Sequence, residues 1–173
     1  MATLKQVHSA TALFADRPGL AGEGDALVSS SSGVAVSIRT ADCYPILLVD
    51  GKNRAVAAVH AGWRGTAAHI VEAALAEMHR SAGTRAEDLF AAVGPGIGAC
   101  CYVVGGDVAE KFGQLAGKLD LAAANRAQLL RLGVPEVQIE ILGGCTFCDA
   151  EQFHSYRREK AHAGRMISFI RIV

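Results

Sequence analysis

Residues 34–65 read VAVSIRTADCYPILLVDGKNRAVAAVHAGWRG, and this stretch decides the fold. It is apolar on both sides of Thr40-Ala41-Asp42-Cys43. Two buried or half-buried strands, or one strand and a turn, are expected there, with Pro45 as punctuation. Asp50-Gly51 is a turn pair, and NRAVAAVHAG (53–62) reads as a further strand. The expected hairpin returns His60 towards Cys43. After Gly65 the period changes. Ala67, Ile70, Val71, Ala74, Leu75 and Met78 recur at helical spacing, with Thr66 as a candidate N-cap and Gly83 as the stop.

Upstream, a short strand is expected around Leu4 to His8. Residues 15–33 are rich in Gly and Ser and read as loop, apart from a short strand in DALVSS (25–30). Downstream, DLFAAVGPGIG (88–98) reads as strand then loop. DVAEKFGQLAG (107–117) looks helical with Asp107 as N-cap. LDLAAANRAQLLRLGV (119–134) is a second clear helix, stopped by Gly133 before Pro135. VQIEILGGC (137–145) alternates like a strand, residues 149–164 are irregular or helical, and RMISFIRIV (165–173) closes the chain as a strand. Strands come in groups, with helices interspersed but not strictly alternating. That pattern predicts an α+β fold, a single domain over 1–173 with mixed β-sheets layered with α-helices.

The 173 residues are 51% hydrophobic, enough to fill a sizeable core. Seventeen basic residues balance 17 acidic ones. Polyanion binding normally leaves a basic bias, so no nucleic acid or membrane partner is expected. The late basic cluster in SYRREK and HAGRMISFIR reads as a solvated face. Five cysteines are an odd number, two of them adjacent, unlike a secreted disulfide framework. The N-terminus lacks a signal-peptide pattern, and no apolar window is long enough for a transmembrane helix. A reduced, cytoplasmic protein is expected.

Three residues at strand ends could close on one metal ion: His8, Cys43 and His60. One thiolate and two imidazoles suit zinc or copper, and three protein ligands leave a fourth position open for chemistry. Each taken singly is more often a structural or solvent-facing residue. In GWRGT, a helix starting after two glycines offers unpaired N–H groups. Gly62, Gly65 and Arg64 are therefore phosphate-binding candidates; a plain turn with Arg64 paired to a carboxylate reads equally well. GPGIGACCYVV lacks the ending of a P-loop and reads as a loop wall. Cys145 and Cys148 form the one C-x-x-C, a redox dithiol or a pair of thiols beside the site. Cys100-Cys101 has the wrong spacing to complete a zinc ribbon. His154, among Tyr156, Arg157 and Arg158, is a candidate acid/base or pocket residue. His69, His79 and His162 read as background.

KQVHS, TADCYPILLVD, AVHAGWRG, GPGIGACCYVVG, LDLAAANRAQL, CTFCD and FHSYRR, in this order, resemble the bacterial YfiH-type laccase-domain family. That family is called multicopper polyphenol oxidase and purine nucleoside phosphorylase. The likeness covers nearly the whole chain and implies a mixed α+β fold. It implies His8, Cys43 and His60 as metal ligands, for zinc or else copper. Members usually carry several dozen residues before KQVH, a segment expected to be lacking here. The resemblance implies phosphorolysis of adenosine, inosine, guanosine and methylthioadenosine, and hydrolytic deamination of adenosine. The implied partners are a nucleoside and phosphate, the oligomeric state staying open. Zinc suits the deamination directly, since it lowers the pKa of water to about 7. Arg64 is then the phosphate candidate, and His154 or Asp42 the group that polarises the leaving base. A copper-dependent polyphenol oxidase is the first rival, weakened by six histidines in all. The second is a cysteine hydrolase with Cys43 as nucleophile and His60 as base, including editing of peptidoglycan precursors. A metal-stabilised binding scaffold would need a fourth protein ligand.

Overall fold

The computed structural model describes all residues, Met1–Val173. Twelve strands and five α-helices follow one another along the chain. The strands are β1 (Ala2–Lys5), β2 (Ala12–Phe14), β3 (Gly19–Glu23), β4 (Ala26–Ser29), β5 (Ala35–Thr40), β6 (Tyr44–Asp50), β7 (Ala55–Ala61), β8 (Leu89–Val93), β9 (Val103–Val104), β10 (Gly117–Lys118), β11 (Ile139–Ile141) and β12 (Met166–Arg171). The helices are α1 (Trp63–Ala67), α2 (Ile70–Ala82), α3 (Gly106–Ala109), α4 (Leu121–Arg131) and α5 (Tyr156–Glu159).

A six-stranded sheet in the order β11-β8-β6-β7-β4-β2 forms the middle layer. Its centre is antiparallel and its two outer strands pair in parallel. A four-stranded sheet, β12-β5-β1-β3, packs on one face. Helices α2 and α4 cover the other. The two-residue period of the strands explains the layering. In β4, Ala26 and Val28 meet the helices while Leu27 faces the second sheet. In β7, Ala57 and Val59 meet the helices while Val56 and Ala58 face the sheet. Every residue of β7 is buried, as befits a strand covered on both faces.

The expected hairpin is β6–β7, with Pro45 opposite His60 and Tyr44 opposite Ala61. Cys43 immediately precedes β6, so continuing the register sets it opposite Gly62, two residues beyond His60 and on the same face of the hairpin.

The helix read as one run after Gly65 is two. Residue His69 adopts a left-handed conformation (φ 61°) and separates α1 from α2. Thr66 is accordingly not an N-cap. It is buried inside α1 and tied to α4, where Gln128 Nε2 donates to its carbonyl at 2.7 Å and Asn125 Nδ2 to its hydroxyl at 3.1 Å. Gly83 does stop α2, in a left-handed conformation. Helix α2 buries Ile70, Val71, Ala74 and Met78 against the middle sheet. Each of the three larger side chains stabilises by about 1.5–3 kcal/mol on burial.

Helix α4 starts at a true cap, Asp120 accepting from Ala123 N at 2.9 Å. The stretch from Asp107 is shorter than expected. Gly105, not Asp107, precedes the four-residue α3, and a 3₁₀ turn follows. The Gly-rich segment read as loop contains β3, which pairs in parallel with β1.

Candidate metal centre

The loop after β1, the turn before β6 and the end of β7 converge at one edge of the middle sheet. They bring the ligand atoms of His8, Cys43 and His60 to within 4.8 Å of one another. The His8 and His60 rings meet edge to face, with centroids 4.8 Å apart. His8 (φ 60°) and Asp42 (φ 86°) both adopt left-handed backbone conformations that non-glycine residues rarely take. Each costs on the order of 1 kcal/mol or more.

Asp25, at the start of β4, organises the centre. Its carboxylate is fully buried. Oδ1 lies 2.8 Å from His60 Nδ1. Oδ2 accepts from Ser9 N at 2.6 Å, from Ser9 Oγ at 2.8 Å and from Val7 N at 3.3 Å. One carboxylate therefore fixes both histidine-bearing segments. A carboxylate only accepts, so His60 Nδ1 carries the proton and Nε2 is left for a metal. Burial pushes the Asp25 carboxyl up, but its bonds to His60 and Ser9 outweigh that and leave it at about 2. Burial lowers His60, yet Asp25 and Cys43 raise it to about 9. Burial raises the Cys43 thiol, and the imidazoles of His60 and His8 bring it down to about 7. A thiol so poised, beside two imidazoles aimed at the same point, fits a borderline-soft divalent ion. The donor set matches zinc or copper.

Gly62 leaves room for these ligands. A Cβ there would lie 2.8 Å from Cys43 Sγ and 3.3 Å from His8 Cδ2.

The three candidate ligands sit in the wall of a cavity of about 850 Å³. Arg39, Arg157 and Arg165 line it, and none of the three forms a salt bridge. Lys5 also lines it but is paired with Glu23. Trp63, Tyr102 and Tyr156 add aromatic surface. Arg157 lies 5.4 Å from the Tyr102 ring centroid. Burial and the neighbouring Cys43 thiolate push the Tyr102 phenol up to about 12, so it stays a hydrogen-bond donor. A second trough of about 480 Å³ is mostly apolar, with Glu140 as its one ionisable group, and offers no comparable chemistry.

The profile of the family described as "Multi-copper polyphenol oxidoreductase laccase" matches residues 1–173. The chain belongs to this laccase-domain family. A solved laccase-domain structure, the hypothetical protein YfiH of Bacillus licheniformis, superposes with a TM-score of 0.93 at 30% identity. The match covers 99% of this chain and 74% of that one. A Bacteroides thetaiotaomicron protein named "Purine nucleoside phosphorylase" is 40% identical over 86% of this chain and 60% of its own length. "Adenosine deaminase RL5", from an unknown prokaryotic organism, is 39% identical over 92% of this chain and 66% of its own length. The chain thus spans about 60% of the Bacteroides relative. No helix is long and apolar enough to cross a membrane.

Within this laccase-domain fold the other candidate residues separate. Asp42 lines the cavity, but both carboxylate oxygens are engaged: Thr146 Oγ1 donates to Oδ1 at 2.7 Å and Arg157 N to Oδ2 at 2.6 Å. Its carbonyl accepts from Ile97 N at 2.8 Å. Asp42 is thus a clamp on three segments. His154 is not brought to the others. Its exposed ring lies against Gly164, with Nδ1 3.8 Å from Glu159. Arg64 also lies outside the cavity lining, stacked 4.2 Å over Trp63 and exposed. Helix α1 begins after Gly62 as expected but has only five residues, too short for a strong dipole. Gly65 is packed against Ser9 O, which a Cβ would approach to 3.1 Å. The late basic cluster is more than a solvated face, since Arg157 and Arg165 come from it.

Proposed function

We propose that this chain carries the site of a metal-dependent purine nucleoside phosphorylase with adenosine deaminase activity, acting on adenosine, inosine, guanosine and methylthioadenosine. One observation supports it above the rest. A three-ligand centre shares a cavity with three guanidinium groups that have no carboxylate partner and three aromatic rings. Such a wall suits a planar base beside a phosphate.

His8, Cys43 and His60 would hold the ion, zinc by preference. When bound, zinc supplies Lewis-acid polarisation and acidifies water. The protein's own groups do the rest. Trp63 and Tyr156 stack against the purine. Arg39, Arg157 and Arg165 hold phosphate against the anomeric carbon. In phosphorolysis the N-glycosidic bond breaks, a carbon–oxygen bond to phosphate forms, and the base leaves with a proton. Tyr102, held neutral, donates a hydrogen bond to the departing purine. Asp42 keeps Cys43 and Arg157 in register. In deamination, water adds to the purine carbon that bears the amino group, and ammonia departs.

Polyphenol oxidation by several coppers needs many imidazoles, and the chain has six histidines, two of them at the site. Asp25, His60 and Cys43 in series favour a second reading, a cysteine hydrolase in which His60 activates the thiol. Adenosine incubated with the protein, zinc and phosphate separates these readings. Phosphate-dependent release of adenine and ribose 1-phosphate, with inosine alongside, supports the proposal. Neither product, with oxygen uptake on a phenol or with chelator-resistant hydrolysis of an amide, overturns it.

A further inference from the structure

The C-x-x-C of Cys145 and Cys148 has no second pair at zinc-ribbon spacing, since Cys100 and Cys101 are adjacent in sequence. The fold nevertheless brings the two pairs together. Gly96 and Cys145 form an isolated parallel bridge, and Thr146 N donates to Gly96 O at 3.0 Å. The turn carrying Cys145 and Cys148 thereby lies against the turn carrying Cys100 and Cys101. All four Sγ atoms fall within 4.8 Å of one another. Cys100 and Cys148 are 3.8 Å apart, and Cys101 and Cys148 are 3.2 Å apart. Four sulfurs bonded to one zinc ion at about 2.3 Å in a tetrahedron stand about 3.8 Å from one another. Gly98 N–H points at Cys145 Sγ from 3.2 Å, a donor suited to a thiolate. A Cβ on Gly98 would press on Cys100 Sγ at 3.2 Å and on Cys145 Cβ at 3.3 Å. All four cysteines are unbridged. None lines the cavity of the His8–Cys43–His60 centre.

We propose that Cys100, Cys101, Cys145 and Cys148 form a second, structural metal site that binds Zn²⁺ as a tetrathiolate. Four soft ligands with no open position are the donor set of a structural zinc site, not a catalytic one. Cys100 and Cys148 are exposed, so the ion enters from solvent. The site ties together the two turns that brace the cavity wall. One supplies Ile97 N, which donates to the Asp42 carbonyl. The other supplies Thr146 Oγ1, which donates to the Asp42 carboxylate. Tyr102, which lines the cavity, directly follows Cys101. Zinc here fixes the wall beside Cys43 without taking part in chemistry.

The test uses a Cys43→Ala variant, which removes the first centre and keeps these four thiols. The variant is purified under reducing conditions, loaded with Zn²⁺ and freed of loose ions. It should retain one zinc per chain, and none once Cys148→Ser is added. Co²⁺ in place of zinc should give the intense thiolate-to-metal charge-transfer band of a tetrathiolate in Cys43→Ala itself. This reading does not depend on how well the double variant folds. The four thiols should resist alkylation until a chelator is added. Cys43→Ala protein that holds no zinc and alkylates at once overturns the proposal, as does a mass two hydrogens short from a Cys–Cys bridge. Neither result bears on the nucleoside reading, because the first centre is absent from the variant.

Discussion

Asp25 serves one histidine through its ring and the other through its backbone segment. Orienting partners of this kind are worth about 10–100-fold in metal affinity. Asp25→Asn should therefore weaken zinc binding at the His8–Cys43–His60 centre by about that factor, measured by competition with a chromophoric chelator. Unchanged affinity would remove Asp25 from the account. Gly62→Ala places a methyl group 2.8 Å from Cys43 Sγ. Overpacking of this kind costs about 1–3 kcal/mol, and the variant should lose metal while keeping its far-ultraviolet dichroism. At this scale the three candidate ligands were legible in the sequence and the groups that support them were not. His8, Cys43 and His60 carry ligand chemistry at strand ends. Asp25 opens the short strand read in DALVSS, just after a Gly-rich run, and nothing local says that it will be buried against His60.

Among the elements, the β6–β7 hairpin carries the site, since its register sets Cys43 two residues along from the partner of His60, on the same face. It was readable from the Asp50-Gly51 turn between two apolar runs. Strand β3 was not, because glycine at two of its five positions, Gly19 and Gly22, masks any alternation; its pairing with β1 comes from the rest of the sheet. The break between α1 and α2 was hidden too. Thr66 looks like a cap by type, but the polar side chains of Asn125 and Gln128 on α4 claim it instead. Two substitutions test the helical layer by denaturant unfolding. Met78→Ala, emptying a fully buried site in α2, should cost about 2–5 kcal/mol. Asp120→Ala, removing the α4 cap, should cost about 1 kcal/mol. Equal effects from the two would contradict the assigned burial.

The cavity belongs to the whole molecule. Arg39 comes from β5, Arg157 from α5, and Arg165 from the residue before β12. No spacing in the chain relates these segments, so a local reading placed the phosphate on Arg64 beside the glycines. A charge-assisted hydrogen bond contributes about 1.5–3 kcal/mol, or roughly 10–100-fold in affinity. Arg157→Ala and Arg39→Ala should each raise KM for phosphate by at least about tenfold. Arg64→Ala should leave it within about twofold, since Arg64 faces solvent over Trp63. The reverse ranking would return the anion to α1. The four-cysteine cluster is legible only at this scale as well, because two loops distant in sequence must meet before it exists.

The central claim is that His8, Cys43 and His60 hold the ion on which nucleoside chemistry depends. The direct measurement compares the zinc-loaded native chain with zinc-treated Cys43→Ala, in adenosine and phosphate, by chromatography of the products. The account predicts adenine, ribose 1-phosphate and inosine from the native chain, and a loss of at least about a thousandfold in all three from the variant, which removes one of three ligands. Products forming at the native rate in Cys43→Ala would contradict it.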